Sequence, residues 1–121
     1  MVKILVVDDE QEARQGIRNY LLRKLNCEVE EAENGEEALD KINSIDFDLI
    51  ILDIRLPGIN GIDILRQTKN KKLDYLVISG YDSISVAEEA LKEGAKDYIS
   101  KPFSMDILAE KVKIILSQKN Q

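Results

Sequence analysis

Three unbroken apolar runs punctuate the chain: Ile4-Leu5-Val6-Val7, Leu49-Ile50-Ile51-Leu52 and Tyr75-Leu76-Val77-Ile78. Runs this short and this continuous predict strands buried on both faces. Cys27-Glu28-Val29-Glu30-Glu31-Ala32 partly alternates, as a half-exposed edge strand does, and Asp97-Tyr98-Ile99-Ser100 is a short strand ended by Lys101-Pro102. Between them the apolar residues change period to three or four. Ala13, Ile17, Tyr20, Leu21 and Leu25 form one helical stripe, with Arg and Gln opposite. Ala38, Leu39 and Ile42 form a second, and Ile62, Leu65 and Thr68 a third. Val86, Ala87, Ala90 and Leu91 give a fourth, with Ser83 as its cap and Gly94 closing it. Met105, Leu108, Ala109, Val112, Ile115 and Leu116 give the last, capped by Ser104. Asn34-Gly35 and Pro57-Gly58 read as turns, and Pro57-Gly58 with Asn60-Gly61 make a long loop before the third helix.

Five strands alternating with five helices predict an α/β fold, a doubly wound parallel sheet in a flavodoxin-like three-layer sandwich. The most apolar strands belong in the middle, so the expected order is 2-1-3-4-5. Its switch point falls between the first and third strands, where ligands collect outside the carboxyl ends. The 121 residues suit one domain, 1–121.

Composition then removes several functions. A net charge of −6 opposes electrostatic nucleic-acid binding, and the densest basic run, Lys69-Asn70-Lys71-Lys72, reads as a solvated helix end. Cys27 is the only cysteine, which excludes an internal disulfide and suggests a reducing compartment. No signal peptide precedes the first strand and no apolar run spans a bilayer, so a cytoplasmic, membrane-free protein is expected. Histidine is absent, which removes Ser-His-Asp and Cys-His catalysis and histidine-based zinc sites.

Reactive residue types stand where the strands surface: Asp8-Asp9 after the first, Asp53 after the third, Ser79 after the fourth and Lys101 after the fifth. Each has an ordinary reading alone. Asp8 or Asp9 caps the next helix, Asp53 keeps a strand end wet, Ser79 caps a strand end and Lys101 is a surface lysine. One cap does not explain two acids at the mouth of a central strand. In the predicted order, three carboxylates face one another across the crevice. At about 4 Å and an effective dielectric near 20, each pair repels by roughly 4 kcal/mol, which protonation or a bound cation relieves. Hard oxygen ligands with room for water and phosphate oxygens suit Mg²⁺. The set therefore predicts phosphoryl transfer: Asp53 as nucleophile, needing no base, with Lys101 and the Ser79 hydroxyl holding the peripheral oxygens.

Over essentially its full length the chain resembles the receiver domain of bacterial two-component response regulators. The matching stretches are Ile4 to Glu10, Asp48 to Asp53 with Leu56-Pro57-Gly58-Ile59-Asn60-Gly61, then Ile78-Ser79-Gly80, Gly94-Ala95-Lys96-Asp97-Tyr98 and Lys101-Pro102-Phe103. The resemblance implies Asp53 as phosphoacceptor and Mg²⁺ held by Asp8, Asp9, Asp53 and the backbone carbonyl of Arg55, with Asp9 the closer of the acidic pair. It implies Ser79 and Tyr98 as a switch pair, Lys101 on the phosphate, and a cis Lys101–Pro102 peptide. Arg55 and Tyr81 stand where such domains tune phosphate lifetime, and two bulky side chains there suggest a shielded, longer-lived phosphate.

The expected function is a phosphorylation-dependent signalling module, not an enzyme with an outside substrate. A histidine kinase or phosphotransfer protein would donate at the first helix. Ile107 and Ile114 beside Tyr98 suggest an output-partner or homodimer surface. Two other readings compete: a Mg²⁺-dependent phosphatase with an aspartyl nucleophile, and an unphosphorylated interaction module. Phosphatases of the haloacid-dehalogenase type place the nucleophile after the first strand with a second acid two residues on, whereas Glu10 follows Asp8-Asp9 here and no cap domain is present.

Overall fold

The computed structural model describes residues 1–80 and 84–119. Its strands are β1 (Val2–Val7), β2 (Cys27–Ala32), β3 (Leu49–Asp53), β4 (Tyr75–Ser79) and β5 (Asp97–Ser100). They form one parallel sheet in the order β2-β1-β3-β4-β5. The helices are α1 (Gln11–Lys24), α2 (Gly35–Ser44), α3 (Gly61–Gln67), α4 (Ile84–Lys92) and α5 (Met105–Gln118).

Strand alternation divides the core into two layers. Leu5, Val7, Ile50, Leu52, Tyr75 and Val77 pack with Ala38 and Ile42 of α2, Ile62, Ile64 and Leu65 of α3, and Ala90 of α4. Ile4, Val6, Leu49, Ile51, Leu76, Ile78 and Ile99 pack with Ile17 and Leu21 of α1 and Leu108, Val112 and Ile115 of α5. Burying each such side chain stabilises by roughly 1.5–3 kcal/mol, against about 0–1 kcal/mol for a surface ion pair. The core therefore holds the fold. The charged residues of β2 serve the edge: Glu28 faces Lys3 at 3.6 Å and Glu30 faces Lys41 at 3.4 Å.

The helical stripes needed two corrections. Leu91 is 38% exposed, and Ile64, outside the expected stripe of α3, is fully buried. The short α3 lies against the sheet so that Ile62, Ile64 and Leu65 all face inward, a tilt its periodicity does not reveal. The basic run forms a 3-10 turn, Lys69–Lys71, ended by Lys72 in the left-handed region at φ 55°. Gly94 closes α4 at φ 111°; its N–H donates to Leu91 O and that of Ala95 to Ala90 O, a Schellman ending. Ser104 caps α5 by accepting from Ile107 N–H. The expected cap Ser83 lies outside the described residues.

Asn34-Gly35, expected as a turn, is a helix start, and Asn60-Gly61, expected to end the loop before α3, is where that helix begins. Asn34 Oδ1 accepts from Glu37 N–H at 2.8 Å, and Asn60 Oδ1 from Asp63 N–H at 3.0 Å. Both glycines are needed for close approach, not for left-handed backbone. A Cβ on Gly35 would lie 2.5 Å from the carbonyl oxygen of Ile59, and one on Gly61 would lie 2.7 Å from Ile54 Cα.

Thr68 is buried at the end of α3 because its hydroxyl is doubly engaged. It donates to Ile64 O at 2.8 Å and stands 2.6 Å from the Tyr75 hydroxyl, which must then be the donor to it. Thr68→Val strands that buried phenol and is expected to destabilise by about 1–3 kcal/mol. Tyr75→Phe leaves Thr68 still donating and should lose only about 0.5–1.5 kcal/mol. Urea denaturation of the two variants measures the order, and the reverse order would refute this donor assignment.

Candidate functional site

The register that builds the sheet also builds the site. Val6 pairs with Ile51 and Val7 with Leu52, so one residue further the same register sets Asp8 beside Asp53. By strand alternation, Asp8 extends the row of Ile4 and Val6, Asp53 that of Leu49 and Ile51, and Lys101 that of Ile99, all toward α1 and α5. Ser79 extends the row of Tyr75 and Val77 on the opposite face, where Tyr98, paired with Val77, also packs. The acids and lysine thus occupy one face at the carboxyl edge, and the hydroxyl and aromatic the other.

Carboxylate oxygens of Asp8, Asp9 and Asp53 lie within 4.8 Å of one another. Asp8 and Asp53 are buried, 0% and 4% exposed, while Asp9 is exposed. Asp53 Oδ1 accepts from the Arg55 N–H at 3.0 Å, and Oδ2 accepts from the Lys101 ammonium at 3.2 Å. Lys101 also stands 4.0 Å from Glu10. Burial pushes the Asp53 carboxyl above the usual aspartate range, although Lys101 and the Arg55 N–H pull it back. Burial raises Asp8 as well, opposed by the Glu10 N–H, with the charge of Asp53 adding to the rise. The pull of Asp53 raises Lys101 above its ordinary value despite partial burial.

The capping alternative for Asp8 does not describe the structure. α1 begins after Glu10, whose side chain makes no cap, while Asp8 Oδ1 accepts from the Glu10 N–H at 2.9 Å across the loop. Its other oxygen, Oδ2, is buried without a hydrogen-bond partner among the described residues. A buried carboxylate oxygen beside two more acids is a donor set that could hold a hard divalent cation. Oxygens bound to Mg²⁺ at about 2.1 Å stand about 3–4 Å apart, so the cluster needs little contraction to hold one.

Ser79 is 1% exposed, and its Oγ is likewise without a partner among the described residues. It lines a cleft of about 670 Å³ with Asp9, Arg55, Pro57, Asn60 and Val86. Tyr98 is half-buried and Ile107 and Ile114 are about half exposed, at 48% and 51%. The Lys101–Pro102 peptide is cis. Arg55 has an exposed side chain at the mouth of the cleft. Tyr81 lies outside the described residues.

Two contributors escaped the sequence reading. Arg14 donates to the Asp8 carbonyl, and Gly61 lets α3 press on the backbone just after Asp53. Neither shows in the apolar spacing, because both act through the fold of a connecting loop: Arg14 turns back on Asp8 and across to Glu31, and Gly61 turns back on Ile54 and Asp53.

Residues 4–113 match the family model described as the response regulator receiver domain. The chain is 40% identical to the transcriptional regulatory protein ResD of Bacillus subtilis (strain 168), over 98% of this chain and 50% of that protein. It is similar to the crystal structure of the NtrX receiver domain from Brucella abortus, at 35% identity and a TM-score of 0.88, covering 94% of this chain and 98% of that one. It is also similar to that of a two-component response regulator from Clostridium difficile, at 32% identity and a TM-score of 0.92, covering the whole of both chains. The chain spans about half the length of ResD.

Proposed function

The chain belongs to the response regulator receiver domain family, and from that premise we propose that residues 1–121 form a switch phosphorylated on Asp53. Receiver domains are signalling modules that act with histidine kinases and output domains. The observation that carries the reading is Asp53 itself, a desolvated carboxylate at the sheet's carboxyl edge, 3.2 Å from Lys101 and grouped with two further acids.

In the proposed reaction an Asp53 carboxylate oxygen attacks phosphorus of a phosphohistidine or small acyl phosphate. A new P–O bond forms and the donor's bond to phosphorus breaks, with the donor keeping the electron pair. Asp8, Asp9, Asp53 and the Arg55 carbonyl would hold Mg²⁺, which supplies charge neutralisation on the transferred group. Lys101 pairs with the phosphoryl oxygens after transfer, and burial keeps bulk water from the acyl phosphate. The side chain of Arg55, exposed at the mouth of the cleft, shields it further and lengthens its lifetime. The Ser79 hydroxyl, buried and unpartnered among the described residues, turns toward the new oxygens. Tyr98 shares its face of the sheet and packs further into the space vacated. This alters the surface of α4, β5 and α5, where Ile107 and Ile114 present the output or dimer contact. Moving such an equilibrium from about 1% to 99% active needs roughly 5.5 kcal/mol of differential interaction, within reach of several charge-assisted hydrogen bonds. The phosphodonor docks at α1, beside the acids. The same reading carries a cytoplasmic location with it; among the described residues no helix is long and apolar enough to cross a membrane.

The test is incubation with Mg²⁺ and a small acyl-phosphate donor, read by intact mass. One phosphoryl group should appear on the parent chain and vanish when the metal is chelated beforehand. No uptake would leave an unphosphorylated interaction module, and steady release of phosphate from small esters would favour the phosphatase. Tyr98→Ala is expected to take up the phosphoryl group at the parent rate while losing the phosphorylation-dependent change in self-association by sedimentation. Loss of uptake instead would contradict the role given to Tyr98.

A further inference from the structure

Arg14 sits one turn into α1, and its side chain is only 11% exposed. Its guanidinium is used at both ends of the fork. Nη1 donates to the backbone carbonyl of Asp8 at 2.9 Å, and Nε donates to Glu31 Oε1 on β2, also at 2.9 Å. The Asp8 N–H donates to Ala32 O at 3.1 Å, again on β2. With Oδ1 taken by the Glu10 N–H, Asp8 is tied on three sides, and its buried Oδ2 is the one oxygen left over among the described residues.

Accepting the proposed phosphorylation site, we infer that Arg14, oriented by Glu31, is a positioning residue that fixes the Asp8 main chain so that Oδ2 is presented to the divalent cation. Without this fork, Asp8 keeps its N–H bond to Ala32 O and its carboxylate bond to the Glu10 N–H, but its carbonyl loses the tie through Arg14 to Glu31 on β2. Lysine reaches one of the two acceptors, not both, because it lacks the planar fork.

Electrostatics and positioning predict opposite signs, which makes the inference sharp. Arg14→Met removes a positive charge beside Asp8 and leaves Glu31 with Arg18 as its remaining ion-pair partner, so charge alone would tighten Mg²⁺ binding. Loss of positioning loosens it.

The experiment is calorimetric titration of the whole chain with Mg²⁺, with phosphoryl uptake measured against Mg²⁺ concentration. Arg14→Met is expected to weaken Mg²⁺ binding by about tenfold or more, the usual scale for groups that orient metal ligands. Uptake at saturating Mg²⁺ should return to the parent rate, and Arg14→Lys should recover part of the affinity. Arg18→Met is the charge control: Arg18 also reaches Glu31, at 3.5 Å, but makes no bond to Asp8. It should bind Mg²⁺ at least as tightly as the parent. Parent-like or tighter binding by folded Arg14→Met would overturn the inference while leaving Asp53 phosphorylation standing, as would equal weakening in Arg18→Met. If Arg14→Met does not fold, Arg14→Lys and Glu31→Gln decide, and unchanged affinity in both rejects it. A parent chain that neither binds Mg²⁺ nor takes up phosphoryl would instead remove the functional reading beneath it.

Discussion

Asp53→Asn should abolish phosphoryl uptake completely and, in metal-free buffer, melt at a higher temperature than the parent. The first effect follows because the amide supplies no anionic oxygen for attack on phosphorus. The second follows from burial. Asp53 is held above its ordinary range mainly by desolvation, and the opposing pull of Lys101 does not cancel it. An acid raised in the folded state binds protons more tightly folded than unfolded, so its contribution is present at low pH and is lost as pH rises through the folded value. At neutral pH the ionised carboxylate, pressed against Asp8 and Asp9, therefore weakens the fold. Asparagine keeps the shape without the charge, and the stranded Lys101 is one-third exposed, so water can replace its partner. Thermal melts with chelator from pH 4 to 8 should show the gap between variant and parent widening with pH. Adding Mg²⁺ should narrow it, by stabilising the parent more. A variant less stable than the parent at pH 7 would mean that the Lys101 ion pair outweighs desolvation.

Gly61→Ala should destabilise the protein by about 1–3 kcal/mol, the range for overpacking a close-packed site, and slow phosphoryl uptake sharply. The added methyl would meet backbone on both sides, Ile54 Cα at 2.7 Å and the Asp53 carbonyl oxygen at 3.1 Å. Neither can rotate away, and the Gly61 N–H is bonded to Ile54 O at 2.9 Å. Either α3 lifts or the end of β3 shifts. The gain in helix propensity, about 1 kcal/mol at most, is smaller than the clash. A displacement of the nucleophile near 1 Å is enough to slow such a reaction by about 10²-fold. Gly58→Ala is the paired control. Gly58 has φ 74°, the left-handed residue of the Pro-Gly turn, with open space around it. Its loss should destabilise by about 1–2 kcal/mol with little change in uptake. Equal rates in the two variants would show that close packing at Gly61 does not place Asp53.

Strand number, strand order and the carboxyl-edge location of the acids were all readable from hydrophobic pattern. A run such as Ile50-Ile51-Leu52 has no stable place except between layers, and a charged, alternating run such as Cys27–Ala32 none except an edge. That order alone sets Asp8 beside Asp53. The same logic failed for α3 and Leu91, where a helix of two or three turns permits more than one inward face. It misjudged Asn34-Gly35, because a glycine required by close approach is spelled like one required by positive φ.

What the chain determined alone was thus the period of each segment, because burial of apolar side chains is a local property of sequence spacing. What only the tertiary structure decided was which atoms are left without partners. Asp8 Oδ2 and Ser79 Oγ are orphaned among the described residues, Arg14 reaches from α1 past Asp8 to Glu31, and Ser79 and Tyr98 share one face while Asp8, Asp53 and Lys101 share the other. Those relations join residues from different strands and helices, so they arise from strand register and layer packing, and no spacing along the chain encodes them.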